Sequence, residues 1–128
     1  MRAKAGVDLS TLRPEIRRLE PIIDRVHAEF GVRAIVTSAN DSVHGRLPNR
    51  VSYHYADAAI DLRVKHVGGA KRQATLYAAL VAEIERAYPG AYDVLLEHPG
   101  GLQAHIHIEP SPMLASAVGL APQPMEVG

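Results

Sequence analysis

The chain contains no cysteine and no tryptophan, has a single phenylalanine, and carries no excess charge of either sign. Each shortage removes a class of explanation. Without cysteine there is neither a disulfide nor a thiolate nucleophile, so any metal site must use nitrogen and oxygen donors. Lys plus Arg equals Asp plus Glu, 14 against 14. No surplus of cations exists to displace counterions from a nucleic acid, and no basic cluster exists to hold an anionic membrane. The longest apolar run, residues 76–82, is far too short to cross a bilayer. Residues 1–10 lack the apolar core of a secretory signal, so the expectation is a chain made in the cytoplasm with no export route of its own.

What is present fits one folded domain. The 128 residues allow a single ordinary domain, and 47% apolar against 22% charged residues supply a core. Histidine is enriched, at seven residues.

Apolar side chains at Leu12, Ile16, Leu19, Ile23, Val26 and Phe30 follow alternating steps of four and three, the stripe of an amphipathic helix. Ser10 or Thr11 is placed to cap it, Pro21 to kink or divide it, and Gly31 to end it. Residues 33–38 read as a strand. Residues 39–52 form a long polar connection rich in turn formers, of the kind that carries function. A second strand is expected over 58–64, with Ile60, Leu62 and Val64 on one face and Asp61, Arg63 and Lys65 on the other.

A second helix is expected over 71–88, burying Leu76, Leu80, Ile84 and Ala87, and Pro89-Gly90 ends it. Two more strands, 92–97 and 105–109, flank a loop with Pro99, Gly100 and Gly101. The expected fold is α+β: a small, mainly antiparallel sheet with helices packed on one face. Residues 1–110 form the domain. Residues 111–128, with Pro112, Pro122 and Pro124, are expected to be an irregular tail or docking arm.

The chemistry concentrates in two stretches. His54 closes the long connection and Asp61 follows seven residues later on a polar strand face. His105, His107 and Glu109 share one face of their strand, with Ile106 and Ile108 on the other. Imidazoles and a carboxylate converging from separate strands form the donor set of a catalytic zinc site, and amide hydrolysis is the reaction such a site suits. The plainer alternative is a solvated strand face.

The run Ser52-x-His54, followed by Ala59-x-Asp61 and later by Tyr92–Glu97 and His105–Glu109, resembles the M15 peptidases of the hedgehog/DD-peptidase-like superfamily, in particular their small phage-encoded members. The similarity extends over residues 33–109. It implies that fold, Zn2+ held by His54, Asp61 and His107, and a peptidoglycan stem peptide as substrate. The activity implied is that of an endolysin-like endopeptidase or D,D-carboxypeptidase degrading the cell wall. The site of action implied is the wall, reached after release or within a phage particle.

Two positions depart from the family pattern: Asp57 stands where the signature has glycine, and Ala104 where many members have an acid. The general base is either His105, beside His107 on the strand face, or Glu97, which the following loop can bring back over the metal. Arg50, Ser52 and Asp57 are candidates to hold the substrate, as are Arg46 and Arg63. Glu109 is placed to orient the His107 ring. His27 reads as a surface or boundary residue of the first helix. The alternative function is a non-catalytic phage-particle or interaction protein that keeps the peptidase fold, with phage structural proteins docking on the tail.

Overall fold

The structure is a computed structural model that describes residues 1–39 and 58–120. Its order is β1 (Arg2–Ala3), α1 (Pro14–Arg17), α2 (Glu20–Glu29), β2 (Ile35–Ser38), β3 (Ile60–Arg63), α3 (Ala70–Ala87), β4 (Tyr92–Glu97), β5 (His105–Pro110) and α4 (Pro112–Ala117). Among the described residues, five strands form one open sheet in the order β1-β2-β3-β5-β4. The β1–β2 pair is parallel and the others are antiparallel. The α+β class and mainly antiparallel sheet therefore agree with the sequence.

Period-two alternation divides the sheet into an apolar face and a polar one. Ile60, Leu62, Ile106 and Ile108 are fully buried, and they share one core with Ile16, Leu19, Ile23 and Val26 of the N-terminal helices and Leu76, Leu80 and Ile84 of α3. Each such side chain contributes about 1.5–3 kcal/mol of burial. The opposite face carries Asp61, His105, His107 and Glu109, all only half-buried.

The hydrogen-bonding phase of β4 and β5 follows from one proline. Pro110 has no N–H to donate and stands opposite Tyr92, while the next residue, Ser111, donates to the Ala91 carbonyl at 2.8 Å. Alternation from that bond makes Asp93–Glu109, Leu95–His107 and Glu97–His105 the hydrogen-bonded pairs. The backbone groups of Val94 and Leu96 then face the outer edge. The Tyr77 hydroxyl, donating to the Val94 carbonyl at 2.9 Å, agrees with that direction. By the same alternation Asp61–His107 and Arg63–His105 are non-hydrogen-bonded pairs of β3 and β5, the type that brings side chains closest.

Several local expectations are corrected. The first helical stretch is divided in two, α1 and α2, as Pro21 predicts, because Pro21 takes the opening turn of α2, where its missing N–H costs nothing. Its start is at Arg13, without a side-chain cap, in place of Ser10 or Thr11; Pro14 sets the first turn. In α3, Ala87 is exposed, and Tyr88, four residues beyond Ile84, packs against the core instead. The buried stripe of α3 also takes in Gln73, whose side chain donates to the Gly68 carbonyl and accepts from the Gly100 N–H, both at 2.8 Å.

β1 was not expected; it is two residues long, too short for a periodic signal. Residues 112–117 were expected to be irregular but form α4. Ser111 caps it by accepting from Leu114, Pro112 suits its first turn, and Ala115 is fully buried.

Candidate functional site

Sheet register places the key side chains. Asp61 and His107 lie directly opposite each other on β3 and β5, and His107 Nδ1 is 2.8 Å from Asp61 Oδ1. The other ring nitrogen, Nε2, is 2.7 Å from Glu109 Oε1, two residues along the same strand face. His107 thus stands between two carboxylates. Burial opposes a charge on the ring, but the hydrogen bonds and charges of Asp61 and then Glu109 outweigh it and push its pKa up to about 10.

His105 belongs to the same row. Its Nδ1 donates to the Gln103 carbonyl at 2.8 Å, and its Nε2 is 2.7 Å from Glu97 Oε1, across the β4–β5 pair. The carboxylate of Asp61 lies 3.9 Å from the same nitrogen. The two expected general bases are therefore in direct contact with each other, and they adjoin the Asp61–His107 pair. His98, in left-handed backbone with φ 53°, places its ring 6.3 Å from that of His105.

Two clefts flank this row. One of about 450 Å³ on the β2–β3 side is lined by Lys4, Thr37, Arg63, Lys65 and His105, among others. The other, about 750 Å³, runs along β4 and is lined by Tyr77, Glu85, Asp93, Glu97, His107 and Glu109, among others. Asp93 and Glu109 are like charges on a directly opposed pair. Burial first, and then the charge of Glu109, raise the pKa of Asp93 above the ordinary carboxylate value.

The donor set can be tested against zinc on the geometry of these strands. Asp61 supplies oxygen, and His107 turns one nitrogen to Asp61 while Glu109 occupies the other. A carboxylate fixing the far nitrogen is the support that a metal-binding imidazole ordinarily has. Asp61 and His107 together present one oxygen and one nitrogen donor, which in this structure are hydrogen-bonded to each other. Among the described residues no group of three His, Asp or Glu side chains is arranged to hold a metal ion. The third expected donor, His54, lies outside the described residues, as do Arg50, Ser52, Asp57 and Arg46.

One histidine is placed differently from the expectation. His27 is fully buried rather than at a surface or boundary. It follows Ile23 by one helical turn, so its ring continues the buried stripe and its Nδ1 donates to the Ile23 carbonyl at 2.8 Å. Its Nε2 is buried without a hydrogen-bond partner among the described residues, and burial lowers its pKa.

Among the described residues no helix is long and apolar enough to cross a membrane. No family model, curated protein or solved structure matches the chain.

Proposed function

We propose that this chain is a zinc-dependent peptidase that hydrolyses amide bonds in peptidoglycan stem peptides, with a hedgehog/DD-peptidase-like fold. The observation that carries it is the Asp61–His107 contact of 2.8 Å across two paired strands, beside the His105–Glu97 pair on the same face. Asp61 and His107 would hold the metal together with His54. Bound zinc supplies Lewis acidity toward water and toward an amide carbonyl.

The protein's own groups supply the rest. Glu109 holds the His107 ring in place through Nε2. Gln103 fixes the proton on His105 Nδ1, so that His105 Nε2 and Glu97 share the position from which a proton is taken or returned. Such a pair can accept a proton from attacking water and pass it to the leaving amine. Arg63, on the same strand as Asp61 and lining the basic cleft, is placed to attract a substrate carboxylate.

The test joins metal analysis of the purified protein to hydrolysis of purified peptidoglycan, with and without chelator. Stoichiometric zinc and chelator-sensitive release of amino groups are expected. Undiminished hydrolysis by a His107→Ala variant contradicts the assignment. Bound zinc with no turnover contradicts the enzyme and favours a scaffold that keeps the fold.

A further inference from the structure

β4 is the outer strand of the sheet, and its outward backbone groups follow from the phase set by Pro110. The Val94 N–H and both backbone groups of Leu96 face that edge without a protein partner among the described residues. Among the described residues, the Val94 carbonyl accepts there from the Tyr77 hydroxyl at 2.9 Å. An open edge of this kind is a template for an added strand. Beside it runs the cleft of about 750 Å³, a size that accommodates several residues of an extended peptide.

The lining of that cleft selects among peptides. Glu85 from α3 and Asp93, Glu97 and Glu109 from the sheet contribute carboxylates, while no lysine or arginine lines it among the described residues. His107 lies within the same lining. Leu95, half-exposed and opposite His107, offers an apolar contact between the carboxylates of Asp93 and Glu97. The charge complement of this surface is a peptide bearing an ammonium group.

We propose that the β4 edge binds an extended peptide as a sixth strand, with a side-chain ammonium of that peptide held by Glu85 and Asp93. The choice of a peptide over other cationic ligands rests on the peptidase assignment. For that activity, the amine-bearing part of the substrate lies along β4 and leads toward His107. A substrate whose side-chain amine is free is bound in preference to one whose amine is acylated.

The test follows backbone amide resonances while the protein is titrated with a blocked alanyl-lysyl-alanine tripeptide. Two modified probes are compared with it, one acetylated on the lysine amine and one N-methylated on its backbone. The free-amine probe is expected to shift the Val94 and Leu96 amides and to bind about tenfold or more tightly than either modified probe. A double variant, Glu85→Gln with Asp93→Asn, is expected to bind free and acetylated probes alike while still preferring both to the N-methylated one.

Equal affinity for all three probes, or shifts confined to another face, overturns the β4 site. If that occurs while peptidoglycan is still hydrolysed in a chelator-sensitive way, the peptidase assignment stands and only the β4 site fails. The expected shifts without any hydrolysis support the β4 site and overturn the peptidase assignment.

Discussion

At the scale of single residues, the polar face of the sheet concentrates charge where strand pairing forces side chains together. His107 gains from its two carboxylates when charged, and its folded pKa of about 10 exceeds the ordinary 6.5. The resulting stabilisation of the metal-free protein is complete below pH 6.5 and is lost as pH rises toward 10. Urea denaturation of chelator-stripped protein should therefore show a falling midpoint over that interval, and a His107→Gln variant should show a flatter one. Asp93 is in the opposite position. Its raised pKa marks a carboxylate whose charge the fold disfavours, so its penalty is largest once pH is above its folded pKa. Asp93→Asn should raise stability at neutral pH by about 0.2–1 kcal/mol, the range for relieving an unfavourable cross-strand pair. No gain in the denaturation midpoint would show that Asp93 and Glu109 do not repel across the pair.

At the scale of elements, the connection between β4 and β5 is fastened to the start of α3 by one buried side chain. Gln73 joins the Gly68 carbonyl to the Gly100 N–H. Gly100 itself has φ 81°, and a Cβ there would approach the Ala70 side chain to 3.1 Å. Gln73→Leu leaves both backbone groups without that partner and should cost about 1–3 kcal/mol in thermal or urea denaturation. A cost near zero would show that the bridge is dispensable.

The same elements show what the sequence can reveal. Strand alternation placed Asp61, His105, His107 and Glu109 on the polar face, because Ile60, Leu62, Ile106 and Ile108 leave them no other side. Periodicity also found α3 and the division at Pro21. It could not find Gln73, a polar side chain in an apolar stripe, because its partners come from loops. His27 was misplaced for a related reason: its chemistry suggests a boundary, whereas its helical phase buries it. Nor could spacing reveal that Glu97 touches His105, since that contact depends on the register of two strands joined by a loop. β1 is too short to leave a pattern, and α4 was hidden by the prolines around it.

At the scale of the whole molecule, two histidines pull the pH profile of the metal-free fold in opposite directions. His27 is buried with a lowered pKa, so it must be charged against the fold as pH drops below its ordinary 6.5. His107 withdraws its support above that value. Stability should thus be greatest near neutrality, and His27→Leu should extend it on the acid side in a melting series across pH. An unchanged acid limb in that variant would show that His27 is not what the fold resists protonating.

On the function proposed above, Asp61 and His107, brought together by adjacent strands, would act as one unit in holding zinc. The most direct test is a double-mutant cycle of zinc affinity measured by calorimetry on chelator-stripped protein, using Asp61→Ala, His107→Ala and both together. Each single change is expected to weaken binding by about 100-fold or more, with the double change adding much less than the sum of the two. Zinc affinity unaltered by either single change would contradict the claim.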